Sequence, residues 1–271
     1  MRKLCPLIIV LILTLGCQPA KTEDGYKFGA VLPLTGDQAF YGAYFREGME
    51  LAVKDINAAG GINGKKVIAM YEDTGSNKLQ ANNAAQKLIS ADKADALFTV
   101  LSGGAGITAP LAETNKVPLI YHSATDSFAL NKTYVFKDYP SAIEQCKLLA
   151  KQALKDGHKI IGLYGVRTDT LQLCKEGAEE ITEISYHTHD AGEKDHRSTL
   201  VKLIHSNATA LILLTHSDEC PPVYNQLIEL AYKPRLYIFL QSFGCGSDKN
   251  SKEYPQLLTK AYGTDVFFDE T

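Results

Sequence analysis

Serine, threonine and glycine recur in this 271-residue chain where apolar runs end, a placement suited to gripping a small charged group with hydroxyls and main-chain amides. In Leu101-Ser102-Gly103-Gly104 an apolar run gives way to a helical pattern. The Ser102 hydroxyl and the amides that follow it, beginning at Gly103, are therefore expected to hold a carboxylate at the positive end of a helix. The competing reading makes Ser102 a helix cap and the glycines a tight turn. Ser123-Ala124-Thr125 ends the next apolar run, where an ordinary Ser/Thr turn is the plain alternative to a binding turn. Gly103, Gly104 and Gly106 do not make G-x-G-x-x-G, and no G-x4-G-K-[ST] occurs, so nucleotide binding has no motif behind it.

His187-Thr188-His189-Asp190, with Asp195 and His196 nearby, is the one cluster that suggests metal chemistry, because His187 and His189 would share a strand face. Its spacing matches no recognised site, so a solvated strand edge is expected there and no metal ligand is assigned. Nucleophilic catalysis is equally unsupported. Cys174 falls inside a helical pattern, no G-x-S-x-G is present and no positioned base can be named, so no catalytic residue and no cofactor are expected.

The elements that must position these turns alternate along the chain. Residues 28–32 form a short apolar run, and Pro33 to Gly36 break it. Tyr44, Gly48, Leu51, Ala52, Ile56 and Ala59 then recur at the spacing that lays one helical stripe on a sheet, before Gly60-Gly61 stops the helix. Strands at 66–72, 95–101 and 117–122 alternate with helices at 77–91 and 104–115. The strands are almost continuously apolar (LFTVL, VPLIY), as when helices cover both faces of a parallel sheet. After 134–137 the pattern restarts with helices at 141–155, 171–183, 196–205 and 220–231 and strands at 159–164, 184–188, 209–214 and 236–240. The fold class is thus α/β, with two doubly wound parallel-sheet lobes around a central cleft. Lobe one is expected at 25–138, lobe two at 139–250 with Tyr139-Pro140 at the crossing, and a return segment toward lobe one at 251–271. The formal net charge is −3 with no basic run, which argues against nucleic acid as a partner.

These residues also carry a family likeness. LPLTG, a following Tyr-Gly and LAVKDINAAGGINGKKV resemble the start of the leucine/isoleucine/valine-type periplasmic binding proteins. The likeness continues through YEDTGSNKLQANNAAQKLI, LSGGAGITAPLAETNKVPLI, SATDSFAL and YVFKDYPS. The resemblance implies a type 1 periplasmic binding fold that holds a small ligand between lobes and presents it to an ABC permease. It implies an amino-acid carboxylate at Ser102. At Ser123-Ala124-Thr125 it implies a backbone carbonyl from the first residue and a hydroxyl and amide from the third, which together suit a zwitterion. Tyr41 matches an aromatic that lies against the ligand, with helix-start packing as the alternative.

Lobe two departs from the pattern. Tyr164 matches a strand end, but Asp169-Thr170 stands where many relatives have Tyr-Gly, and Arg167 and Asp169 would supply charge in its place. His216 aligns with a commonly aromatic contact and is followed by Ser217 and Glu219. No carboxylate lies at Gln241 to Phe243, where amino-acid binders carry an ammonium partner, and Glu219 is the candidate replacement. These departures count against branched-chain specificity and leave a small polar or zwitterionic ligand.

Arg2 and Lys3 precede an apolar run from Leu4 to Leu15, too short for a spanning helix of roughly 20 residues and read as an export signal. Gly16-Cys17 resembles a lipoprotein cleavage point, so residues 1–17 are read as a signal whose cysteine is lipidated, and the protein as periplasmic or cell-surface and membrane-anchored. Cys146, Cys174, Cys220 and Cys245 allow three pairings; Cys220 with Cys245 is favoured, and buried free thiols are the alternative. Thr264 to Asp269 resembles the family's second crossing, so the end of lobe one is expected to be missing and apolar surface left bare. A sensor of the same fold and a non-functional shortened relative remain the alternatives to solute import.

Overall fold

The computed structural model describes residues 24–36, 38–216, 219–239 and 245–263. The signal segment 1–17 with Cys17, the positions Ser217 and 241–243, and residues 264–271 of the return segment lie outside the described residues. Among the described residues, two five-stranded sheets, parallel throughout, organise the fold. The first holds β1 (Gly25–Leu32), β2 (Lys66–Asp73), β3 (Ala96–Val100), β4 (Leu119–His122) and β5 (Val135–Lys137) in the order β2-β1-β3-β4-β5. The second holds β6 (Ile161–Val166), β7 (Ile184–His189), β8 (Ala210–Leu214), β9 (Arg235–Ile238) and β10 (Tyr262–Gly263) in the order β7-β6-β8-β9-β10. Both sheets therefore wind in the same way. In each, the chain reverses its direction of winding between the first and third strands, at β1/β3 and at β6/β8.

Helices α1 (Ala39–Ala58), α2 (Lys78–Gln86, continued by a π-helical turn at Lys87–Ala91) and α3 (Leu101–Asn115) belong to the first sheet. Around the second lie α4 (Ala142–Lys155), α5 (Asp169–Glu179), α6 (Arg197–His205), α7 (Cys220–Glu229), α8 (Asp248–Glu253) and α9 (Pro255–Leu258). Period-two alternation divides the second sheet into two buried faces. Leu163, Ile212 and Tyr237 pack on α4 and α5, while Leu211, Leu213 and Leu236 pack on α6, α7 and α9. Tyr254, Leu257 and Leu258 join that second core, and β10 extends the sheet. Structure belonging to the second sheet thus runs past residue 250, where a return segment was expected to begin.

In the first sheet, the face under α2 and α3 is densely packed by Leu97, Leu119, Tyr121, Ala105 and Ala109. The α1 face is thinner. The stripe expected to lie on the sheet does not: Tyr44 and Leu51 are exposed at 70% and 59%, and Ile56 is exposed as well. Gly42, Phe45, Met49, Val53 and Asn57 face inward instead. Two contacts decide this rotation. A Cβ on Gly42 would come within 2.1 Å of the Pro33 carbonyl oxygen, so glycine lets the helix start close to the sheet. At the other end, the Asn57 amide donates to Val67 O and accepts from Val67 N at 2.9 and 2.8 Å. A helix with two apolar faces takes the one whose neighbours also satisfy backbone groups. On the same side of the sheet, Ile120 and Phe136 are exposed at 41% and 53%.

All four described cysteines are paired. Cys146 in α4 is bonded to Cys174 in α5, and Cys220 at the head of α7 to Cys245, with Cα separations of 5.1 and 5.4 Å. The favoured pairing is thereby present, and free thiols are not. No helix among the described residues is long and apolar enough to cross a membrane.

Candidate functional site

In an open parallel sheet, main-chain amides and carbonyls at the carboxyl ends of the strands are left unpaired where winding reverses, and a crevice forms there. Both reversal points of this chain open into one cleft of about 330 Å³. From the first sheet it is lined by Gln38 and Tyr41 after β1 and by Leu101, Ser102 and Gly103 after β3. From the second come Val166, Thr168, Asp169 and Thr170 at the end of β6, and Leu214, Thr215 and His216 at the end of β8. A wider groove of about 690 Å³ runs along β7 past Tyr186, His187 and Lys202, but it is lined by the second lobe alone and shares Thr168 and Asp169 with the cleft rim.

Ser102, Ser123 and Thr125 come together. The Ser102 hydroxyl lies 3.0 Å from the hydroxyls of both Ser123 and Thr125. Its placement depends on Leu101, which adopts a left-handed conformation at φ 62° and starts α3 at residue 101 rather than 104. For a branched apolar side chain this backbone costs on the order of 1–3 kcal/mol, strain of the kind found at ligand clamps. Ser102 makes no capping bond to the helix, so its hydroxyl is committed to the cluster. The turn beneath is held from behind: Tyr121 Oη donates to the Thr125 carbonyl at 3.0 Å, and Ala142 N–H donates to the Ala124 carbonyl at 2.9 Å. Ala124 is fully buried, so its part is to fix the turn, and the Thr125 amide donates to Ser123 Oγ at 3.3 Å.

The β1–α1 turn that carries Gln38 and Tyr41 is clamped by Asp73. Its carboxylate accepts from the amides of Leu34, Thr35 and Gly75 at 2.8, 3.1 and 2.8 Å and from the Thr35 hydroxyl at 2.5 Å. Burial opposes the charge, but the Thr35 hydroxyl and the three amides outweigh it and hold the carboxyl below its usual range. A folded-state value below the unfolded one means stability that is present above the usual carboxylate range and lost as pH falls through it. Asp73→Ala is expected to cost about 2 kcal/mol in urea unfolding at neutral pH. That gap should narrow below about pH 4, and an equal gap at pH 3 would contradict the clamp.

Two second-lobe expectations need correction. Tyr164 does not line the cleft: β6 ends at Val166 rather than 164, so Tyr164 sits within the strand, fully buried, with Oη 2.6 Å from His196 Nδ1. Burial pushes its phenol up, and the rim position falls to Val166 and Thr168. Glu219 does not present its carboxylate to the cleft. It is 1% exposed and accepts from Gly192 N–H and the Thr215 hydroxyl, both at 2.7 Å, and from His216 N–H at 3.1 Å. Although burial works against ionisation, these bonds outweigh it and hold the carboxyl below its usual range. Glu219 therefore fixes His216, which does line the cleft.

His189 at the end of β7 and His196 beyond it are not on a solvated edge either. His189 and His196 are 2% and 0% exposed, with ring centroids 4.9 Å apart, and His189 Nε2 lies 3.0 Å from Thr215 Oγ1. Burial first, and then His189, lower the tendency of His196 to protonate. Among the described residues no group of three His, Cys, Asp or Glu side chains is arranged to hold a metal. Gln38, Thr168 and Thr215 escaped the sequence reading, as did the left-handed backbone of Leu101. Thr215 was detectable, since it directly follows a strand; Leu101 was not, because its unusual backbone has no signature in residue type.

A family model described as periplasmic binding protein matches residues 25–271. The chain is 28% identical over 204 residues to Leu/Ile/Val-binding protein homolog 3 of Brucella melitensis, covering 72% of this chain and 55% of that protein. It thus spans little more than half the length of that relative. The fold resembles the branched-chain amino acid transporter substrate-binding protein LivJ from Streptococcus pneumoniae in complex with isoleucine, at TM-score 0.72 and 23% identity over 80% of this chain and 64% of that one. It also resembles a solute-binding protein of an ABC transporter from Rhodopseudomonas palustris in complex with 3,4-dihydroxy benzoic acid, at TM-score 0.68 and 21% identity over 80% and 62%.

Proposed function

Because this chain belongs to the periplasmic binding protein family, we propose that it is an exported protein that captures a small polar solute, amino-acid or amide-like, between its lobes for an ABC-type permease. The observation that carries this reading is the Ser102 hydroxyl, set in the first turn of α3 in a cleft lined from both sheets and backed by the buried hydroxyls of Ser123 and Thr125. Hydroxyls and first-turn amides of Ser102 and Gly103 bind the carboxylate; the Ser123 carbonyl and Thr125 hydroxyl accept from an amine. Tyr41 lies against the rest of the solute, and His216 closes on it from the second lobe.

Contacts from both lobes bury the solute only when the lobes approach, so it shifts the open/closed equilibrium by its differential affinity for the closed form. The permease reads that closed form. A lipid on Cys17 would keep the protein at the membrane where the permease lies. A thermal-shift screen of the soluble form beginning at Gln18, against amino acids, small amides and organic acids, tests the reading. A true ligand at a hundred times its Kd adds about 2.7 kcal/mol and raises the melting temperature. No shift with any compound at millimolar concentration would remove the proposal.

A further inference from the structure

His189 and His196 lie buried side by side behind the second-lobe wall of the cleft, and their rings are bonded differently. His189 Nδ1 lies 3.0 Å from the Asp190 carbonyl, which has no hydrogen to give, so Nδ1 is the donor. His189 Nε2 lies 3.0 Å from Thr215 Oγ1, and Thr215 Oγ1 donates to a Glu219 carboxylate oxygen at 2.7 Å. A hydroxyl has one hydrogen to give. With it directed to Glu219, Thr215 meets His189 only as an acceptor, and Nε2 must carry a hydrogen as well. The chain from His189 through Thr215 to Glu219 is therefore satisfied only when it holds one proton more than a neutral imidazole and a carboxylate. Glu219, accepting from Gly192, Thr215 and His216, leaves that proton to His189. His196 is bonded on one side only. Its Nδ1 meets Tyr164 Oη at 2.6 Å, while its Nε2 is buried with no hydrogen-bond partner among the described residues, so a second proton there has no acceptor.

Resting on the solute-capture reading, we propose that His189 is a positioning residue of the cleft: as an imidazolium it anchors Thr215 and, through the Glu219 carboxylate, the His216 main chain, which makes the second-lobe wall sensitive to pH. Among the described residues, Tyr164 of β6 and His196 before α6 face the His189 ring at centroid distances of 5.1 and 4.9 Å. Glu219, before α7, faces it through Thr215, and Glu193 and Asp195 of the loop between β7 and α6 lie near His196. An imidazolium joined to a carboxylate through a hydroxyl leaves the buried chain without net charge, which suits its surroundings. Once the extra proton is lost, Thr215 can bond to His189 or to Glu219 but not to both, and the forsaken contact sets lone pair against lone pair. Thr215 and His216 both line the cleft, so its wall loosens and capture weakens as pH rises.

The test is nitrogen-15 NMR of histidine-labelled protein without ligand, the ring signals being assigned through His189→Gln. At about pH 7, His189 should show both ring nitrogens protonated and His196 only one. Thr215→Val should leave His189 with a single ring proton, and amide exchange at His216 should become about tenfold faster. In the unsubstituted protein the same amide, corrected for its intrinsic exchange rate, should lose protection over the pH range in which His189 gives up its second proton. A singly protonated His189 in the unsubstituted protein, or unchanged exchange at His216 in Thr215→Val, would overturn the positioning role. Neither measurement needs a ligand, so that outcome leaves solute capture to stand or fall by its own screen.

Discussion

Replacing Cys146 and Cys174 together by alanine is expected to lower the unfolding free energy by about 3–4 kcal/mol, the value for a cross-link closing a loop of this length. The bridge spans 28 residues and joins α4 to α5. One helical turn from it on each helix, Gly177 lies against Ile143 so tightly that a Cβ would come within 2.2 Å of the Ile143 carbonyl oxygen. The two helices touch at this crossing with or without the sulfurs, so the cross-link restrains the unfolded chain more than it bends the folded one. Urea unfolding of the double variant should shift in midpoint with little change in slope. A loss under about 1 kcal/mol would mean that the α4–α5 contact alone carries the restraint.

Ser102→Ala is the substitution expected to damage ligand binding most severely, by about tenfold to a hundredfold in Kd, corresponding to the loss of roughly 1.5–3 kcal/mol for a hydrogen bond to a charged group. Its hydroxyl is the common partner of Ser123 and Thr125, so removing it also frees those two to rotate away from the cleft. Stability should change little, because Ser102 does not cap α3 and Thr125 remains anchored through its carbonyl to Tyr121. Thr125→Ala should weaken binding in the same direction. Calorimetry with a ligand found by the thermal-shift screen, alongside melting curves of both variants, separates the two effects. Full affinity in both would dissolve the first-lobe half of the site.

The residues whose proximity the sequence reading anticipated are those whose position follows from order along the chain. Ser102, Ser123 and Thr125 each lie beyond a strand of the first sheet, and a parallel sheet gathers all such turns at one edge. Where the reading slipped, the cause was local and geometric. β6 runs two residues further than expected, to Val166, which carries Tyr164 from rim to core. The stripe from Tyr44 to Ala59 was a sound amphipathic pattern on the wrong side of α1, because Gly42 and Asn57 fix the rotation through contacts distant in sequence. Glu219 looked like an available acid, yet Gly192, 27 positions away, takes one of its oxygens.

Alternation of apolar runs, glycine stops and helical spacing determined the α/β class, the parallel winding and the pairing of hydroxyl-bearing turns, since these depend on periodicities of two and 3.6 and on which residues tolerate turns. Which side chains face the cleft and which are consumed inside the protein was decided by tertiary structure. A hydrogen bond or a close approach depends on distances of a few tenths of an ångström between segments far apart in the chain, and residue type does not encode them. Glu219 shows the division: its identity is written in the sequence, but the buried bonds that occupy its carboxylate are a property of the folded second lobe.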